Sequence, residues 1–283
     1  MINIAGVVIL YNPDPQVTIE NIRTYIGGVK KLYVYDNSED KHPLIETLLA
    51  QLGSSVSYHF FGSNEGISKR LNDAANEAIR EGYDYLLTMD QDSSFTEGAL
   101  DQYLKLVQEN KIEHVAQFGV NSDPKHLKIS DIPVAMDSLI TSGTIMDLSV
   151  FSKIGGFDEN LFIDFVDVEY SLRCVNKGYV NLTFLNVVMN HALGFKKMGR
   201  SFKNFKKTPR ILHSPIRVYY IVRNGLYLLF RLSHVNKQAR KAILFDHLKM
   251  LKNDFLYNDN LFQVYKNTCI GIFDFLRNKM GKK

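Results

Sequence analysis

Cysteine is scarce here: Cys174 and Cys269 are the only two in 283 residues. They have neither a metal-ligand spacing nor the number needed for a disulfide framework, so the expectation is two buried thiols in a reducing compartment. Long apolar runs are missing too. No stretch approaches the roughly 20 residues that cross a bilayer, and Met1-Ile2-Asn3 leads into a strand with no basic n-region of a signal peptide before it. No G-x-G-x-x-G follows the first strand and no P-loop occurs, which removes two common nucleotide fingerprints. Acidic residues are rare in one place only. Gly194 to Lys283 holds 20 Lys and Arg against 4 Asp and Glu, whereas Met1 to Leu193 holds 14 against 26. The C-terminal segment carries +16 and the rest −12, so the C-terminal third calls for an anionic partner. No recognised nucleic-acid module accompanies that charge, which disfavours nucleic acid as the partner.

What is present is a doubly wound pattern. Ile4 to Leu10, Lys31 to Tyr35, Val56 to Phe61 and Tyr83 to Met89 read as strands. They alternate with helical stretches over Val17 to Tyr25, Leu44 to Leu52 and the segment opened by Gly62-Ser63-Asn64-Glu65-Gly66. Four strands and three helices in this order predict an α/β fold with a mostly parallel sheet flanked by helices. The fourth strand runs into Asp90-Gln91-Asp92, and ligands gather beyond the carboxyl ends of such strands. Two carboxylates one residue apart can flank a hard cation, Mg2+ or Mn2+. A strand-end turn would also favour Asp. Asp36 at the end of the second strand has the same two readings, a contact to base or ribose and a turn.

Beyond residue 110, His114 to Val120, Ser138 to Met146 and Tyr179 to Leu185 read as strands, with Ser142-Gly143-Thr144 inside the second. Leu148 to Ile154 is a short helix, closed by Gly155-Gly156 as a left-handed cap. In Phe162 to Arg173, acids alternate with bulky apolar residues and lead into a helix with Val168, Leu172 and Val175 on one face. The helix dipole accounts for Asp164 and Glu169 in a first turn. Asp167, between Val166 and Val168, fits that account less well and suits a general base. His191 alone reads as structural more readily than as a ligand. Gly194 to Arg210 reads as a basic loop, and Pro215 onward as three helices.

The opening strand with Tyr11-Asn12-Pro13, Tyr35-Asp36-Asn37-Ser38, Asn64-Glu65-Gly66, Asp90-Gln91-Asp92, Gly155-Gly156-Phe157-Asp158 and Asp167-Val168-Glu169 together resemble glycosyltransferase family 2, inverting enzymes of GT-A type fold. The likeness covers about residues 1–195. Met89 to Asp92, Phe162 to Glu169, His191 to Gly194 and Arg217 to Asn224 are similar to its rhamnosyltransferase branch. The resemblance implies a catalytic domain over residues 1–195 and a basic helical region over 196–283, facing a membrane, an acceptor or a second subunit. It implies that Tyr11, Asp36, Asn64, Gly66 and Asp90 hold the donor nucleotide, that Asp90, Asp92 and His191 hold Mn2+ or Mg2+, and that Asp167 is the base. Ser142, Gly143, Glu169 and Arg223 are the acceptor-side expectation. The donor implied is dTDP-rhamnose; the acceptor is a polysaccharide or lipid-linked glycan, reached from the cytoplasmic face of an anionic membrane. The alternatives are another donor (UDP-galactofuranose or a UDP-hexose), an inactive nucleotide-sugar-binding scaffold, and a homodimer built on the C-terminal helices.

Overall fold

Ile4–Leu10 (β1) is apolar throughout, and it lies in the interior of a sheet with neighbours on both sides. In the computed structural model, which describes residues 2–111, 113–124, 127–191, 195–200, 205–231 and 237–283, β1 is followed by α1 (Pro15–Arg23), β2 (Lys31–Asp36), α2 (Ile45–Ala50), β3 (Val56–Phe60), α3 (Ile67–Arg80) and β4 (Tyr85–Asp90). Then come β5 (Ser93–Phe95), α4 (Ala99–Glu109), β6 (Val115–Asn121), β7 (Val134–Ala135), β8 (Thr144–Asp147), α5 (Leu148–Ile154), α6 (Val166–Asn176) and β9 (Val180–His191). The strands line up as β3-β2-β1-β4-β8-β6-β9-β5, with β7 beside β9. The first four are parallel, as the doubly wound pattern predicts; β8 enters antiparallel between β4 and β6. Continuous apolar strands are what a sheet covered on both faces requires. The core is built on these strands, with Val8, Leu10, Val34, Leu87, Met89 and Phe118 among its buried side chains.

This first compact unit comprises residues 1–159 and 166–191. Strand order reverses at β1, whose partners are β2 on one side and β4 on the other. Ile9 is level with Asp90, so Tyr11 and the Asp90 carboxylate leave the sheet at the same end, where α/β sheets collect ligands.

The second unit comprises residues 160–165 and 192–283. Its boundary falls just after His191, and it also claims the short segment ahead of α6. The basic stretch expected to be a loop forms, among its described residues, an antiparallel hairpin of β10 (Phe195–Arg200) and β11 (Lys207–Leu212). The motif residues Ala192 to Gly194 and residues 201–204 lie outside the described residues. Three helices follow, α7 (Pro215–Arg231), α8 (Lys237–Tyr257) and α9 (Leu261–Leu276). Val218, Ile221, Val222, Leu251 and Val264 make their shared core.

Several local expectations change. Ser138 to Met146 is extended only from Thr144, because Gly143 takes φ 76° and Ser142 is drawn into the interior. Gly155 has φ 86° and ψ 156°, an extended conformation open to glycine and not the left-handed helical cap. On α6 the inner face is Tyr170, Leu172 and Cys174, while Val175 is exposed. Cys174 is a buried thiol, and burial pushes its pKa up to about 12. Cys269 is exposed on α9, against expectation.

Candidate functional site

Two short β-pairings assemble the site. Asp90 is the last residue of β4, and the chain then turns at once into β5, whose Ser93 pairs with His191 at the end of β9. That register brings an imidazole, 98 residues distant from Ser93, beside Asp90 and Asp92. One ligand atom from each of Asp90, Asp92 and His191 lies within 4.8 Å of the others. The hydroxyl of Ser93 is 2.7 Å from His191 Nδ1, and Asp92 Oδ1 is 3.8 Å from the same nitrogen. The Ser93 hydroxyl at Nδ1 fixes the orientation of the ring beside the two carboxylates. Two carboxylates and an imidazole form a donor set that suits Mn2+, with room in an octahedral shell for phosphate oxygens. The residues fit a divalent cation.

Gln91, between the two aspartates, points its side chain elsewhere. It accepts from the Tyr11 backbone N–H (2.8 Å) and donates to the Tyr11 carbonyl (3.2 Å), while its own carbonyl accepts from Asn21 (2.8 Å). The Tyr11 backbone is thereby tied to the Asp90-Gln91-Asp92 turn, and the Tyr11 ring is 45% exposed. The next residue, Asn12, has φ 46° and donates its N–H to Ser38 Oγ (2.7 Å).

Asp36 is fully buried. Its carboxylate accepts from the Ser38 N–H (3.0 Å) and the Tyr58 hydroxyl (2.8 Å), and burial, reinforced by that carboxylate, holds the Tyr58 phenol above its ordinary range. Asn64 and Asn37 clasp each other: Asn64 Oδ1 accepts from Asn37 Nδ2 (2.9 Å) and from the Gly66 N–H (3.0 Å). Arg70, buried on α3, donates to Asn37 Oδ1 (3.1 Å) and stacks on Phe61 with its guanidinium carbon 3.5 Å from the ring centre. Gly66 has φ 91°, so a Cβ there would be strained. These residues form a stiff rim along the carboxyl ends of β1, β2 and β3.

Asp167 stands in the first turn of α6. Its Oδ1 accepts from the Val168 N–H (2.8 Å) and its Oδ2 from the Thr141 N–H (3.3 Å). Thr141 opens the turn that Gly143 allows. In that turn Thr88 Oγ1 donates to the Thr141 carbonyl (2.5 Å), and Ser142 Oγ accepts from the Asp90 N–H (3.1 Å). One turn therefore holds both Asp167 and the Asp90 end of β4. Gln91, Ser93 and Thr141 were not singled out by sequence, because each acts on a residue distant in the chain that only folding brings near.

Each residue of the acceptor-side expectation has partners of its own within the protein. Ser142 is buried and occupied with Asp90, and a Cβ on Gly143 would lie 2.8 Å from Met189 and Val120. Glu169 is buried in an ion pair with Arg173 (2.9 Å), and Arg173 also donates to the carbonyls of Ile154, Gly155 and Gly156 (2.9, 2.9 and 2.6 Å). Glu169 thus anchors the Gly155-Gly156 turn. That turn also packs against Asn72, which bonds both backbone groups of Phe157 and leaves no space for a Cβ on Gly156. Arg223 belongs to the second unit and is fully buried, donating to Asn224 Oδ1 and Tyr219 Oη.

No family model matches the sequence. It is 29% identical over 252 residues to the dTDP-rhamnosyl transferase RfbF of Shigella flexneri, covering 82% of this chain and 81% of that protein. Among solved structures, the fold is similar to S. aureus TarS 1-349 in complex with UDP-GlcNAc (TM-score 0.61, 14% identity, 98% of this chain and 81% of that one). It is also similar to the mannosyltransferase PcManGT from Pyrobaculum calidifontis in complex with GDP-Man and Mn2+ (0.60, 12%, 97% and 75%). GalNAc-T7 with UDP, GalNAc and Mn2+ matches over 68% of this chain, which spans 44% of that longer protein (0.56, 12%). At these identities the structural likeness establishes the fold, which is of GT-A type.

Proposed function

We propose that this chain, whose fold is of GT-A type, is a glycosyltransferase that moves L-rhamnose from dTDP-rhamnose to a hydroxyl of a polysaccharide or lipid-linked glycan, with inversion. The observation that carries this reading is the single turn, Thr141 to Thr144, that holds Asp167 and the Asp90/Asp92/His191 cluster together. Asp90, Asp92 and His191 would hold Mn2+ or Mg2+. The bound cation supplies charge neutralisation for the departing diphosphate, worth several kcal/mol in such sites.

The residues divide the remaining work. Tyr11, Asp36, Asn64 and Gly66 line the rim on which the nucleoside rests. Asp167 receives the proton of the acceptor hydroxyl. The hydroxyl oxygen then bonds to the anomeric carbon as the bond from that carbon to the diphosphate oxygen breaks, on the opposite face. An alcohol is a weak nucleophile at neutral pH, and base assistance of this kind typically contributes ~10²–10⁴ in rate.

The second unit supports a place at the cytoplasmic face of an anionic membrane. No helix among the described residues is long and apolar enough to cross a bilayer. Yet α9 turns Phe262, Tyr265, Ile272, Phe273 and Leu276 to solvent while Val264, Asn267, Gly271 and Asp274 face inward. At 3.6 residues per turn the five exposed residues fall along one side. With Lys266 and Arg277 beside them in a segment of net charge +16, this is the composition of a helix lying in a lipid interface.

Nucleotide release from dTDP-rhamnose, measured with and without Mn2+ beside UDP- and GDP-sugars, tests the donor. Release confined to dTDP-rhamnose in the presence of the cation is expected. Two of the structural neighbours carry GDP-Man and UDP-GlcNAc, so turnover of a UDP- or GDP-sugar alone would keep the chemistry and replace the sugar.

A further inference from the structure

Asp164 and Phe165 both have positive φ, 63° and 66°. Single Asp residues visit that region; two consecutive non-glycine residues, one of them aromatic, stay there only when their surroundings hold them. The pair immediately precedes Val166, where α6 begins, and Asp167 is the next residue.

The hold comes from α7 and α8. Asn224 Nδ2 donates to the carbonyls of Ile163 (2.7 Å) and Asp164 (3.3 Å). Arg217 grips the Asp164 carboxylate through Nε and Nη2, at 2.9 Å for the shorter bond. The Phe165 ring lies on His247, with centroids 5.5 Å apart and planes 16° from parallel. Asn224 is itself oriented, because Arg223 donates to its Oδ1 through Nε (3.1 Å) and Nη2 (3.0 Å). With the amide oxygen occupied by a guanidinium, the amide N–H groups are the ones left to face the 163–164 carbonyls. Gly225 has no side chain to displace the His247 ring, which an added Cβ would meet at 1.8 Å.

We propose that Arg217, Arg223 and Asn224 are positioning residues for the transfer reaction: they clamp Asp164 and Phe165 in the left-handed conformation and so set the first turn of α6, on which Asp167 stands. The proposal rests on Asp167 being the base. Released from the clamp, the 164–165 backbone relaxes towards its ordinary region, the first turn of α6 shifts, and the carboxylate moves off the Thr141 N–H. Displacements of about 1 Å at a reacting group can cost ~10²-fold in rate.

Asn224→Asp keeps the size of the side chain and an oxygen for Arg223, but has no N–H to offer Ile163 and Asp164. Arg217→Lys keeps the charge and loses the two-nitrogen grip. In Asn224→Asp, kcat should fall at least ~10-fold, with a smaller fall in Arg217→Lys. Nucleotide affinity, from calorimetry with dTDP and Mn2+, should stay within about twofold, since binding and turnover report different interactions. Hydrogen exchange at the Val168 and Thr141 amides, both bonded to the Asp167 carboxylate, should quicken in both variants while the later turns of α6 keep their protection. Unchanged kcat, or unchanged exchange at those amides, overturns the proposal. So does a joint loss of turnover, nucleotide affinity and protection throughout α6, which marks an ordinary folding defect. The exchange measurement needs no turnover. A wild-type chain inactive on every donor would therefore sink the functional reading, and the clamp would still be judged by the exchange rates.

Discussion

Asp92 lies two residues beyond the end of β4, exposed, with its carboxylate near His191 and Ser93. It supports the site and little of the fold. Asp92→Ala should leave the melting temperature almost unchanged, as surface substitutions cost within about 0.5 kcal/mol, and should abolish Mn2+-dependent nucleotide binding in calorimetry. Retained binding would return Asp92 to a turn-forming role. Asp167 and Glu169, two residues apart on α6, should separate in the opposite way. Asp167→Asn cannot receive a proton, so transfer should drop by at least ~10²-fold while nucleotide affinity persists. Glu169→Gln weakens a buried charge-assisted pair with Arg173 and should cost about 1–3 kcal/mol of stability, with a smaller loss of turnover per folded molecule. Thermal melts and steady-state rates on both variants check this; a dead Glu169→Gln beside an active Asp167→Asn would move the base two residues along.

At the scale of elements, α7 packs against both α8 and α9. Gly225 on it lies against the His247 ring of α8, so Gly225→Ala must displace a buried, stacked imidazole. Overpacking of this kind costs about 1–3 kcal/mol, a loss of melting temperature of about 2–4 °C per kcal/mol in a chain approaching this size. His247 also makes stability depend on pH. Burial holds its imidazole below the ordinary histidine pKa, so the folded chain keeps it neutral where the unfolded chain has begun to take up a proton. Stability from this group is therefore complete above the unfolded value of about 6.5 and is lost as pH falls below it. Between pH 7.5 and 5.5 the wild type should lose more melting temperature than His247→Phe. Equal slopes would mean that His247 is protonated in the folded chain at little cost.

For the molecule as a whole, the division of charge has a consequence of its own. A +16 segment carrying an apolar helix face should bind vesicles containing anionic lipid and release them as salt rises, since exposed charges are screened beyond about 10 Å at 0.1 M. Replacing Phe262, Phe273 and Leu276 by Ser should weaken co-sedimentation with such vesicles without altering the melting temperature, because all three are exposed. If the triple variant binds as the wild type does but changes its sedimentation coefficient, the face belongs to a second copy of the chain.

The alternation of apolar runs with helical stretches was enough to determine the parallel half of the sheet, the end of it where ligands gather, and the carboxylates Asp90 and Asp92 placed there. Strand and helix periods are local, and Ile4 to Leu10 or Tyr85 to Met89 carry them without help from distant residues. The doubled glycine at 155–156 was legible as a turn, but its conformation follows from Asn72 and Arg173, which reach it from other helices. Tertiary structure alone decided the rest. His191 meets Asp92 through the β5–β9 register, Ser142 supports Asp90 because Gly143 bends the chain inward, and Arg223 turned out to be a buried support of Asn224. The first two of these pairings link residues 50 to 100 positions apart. No local period encodes them; they exist only once the backbone hydrogen bonds of the sheet and the packing of the helices have brought the partners within reach.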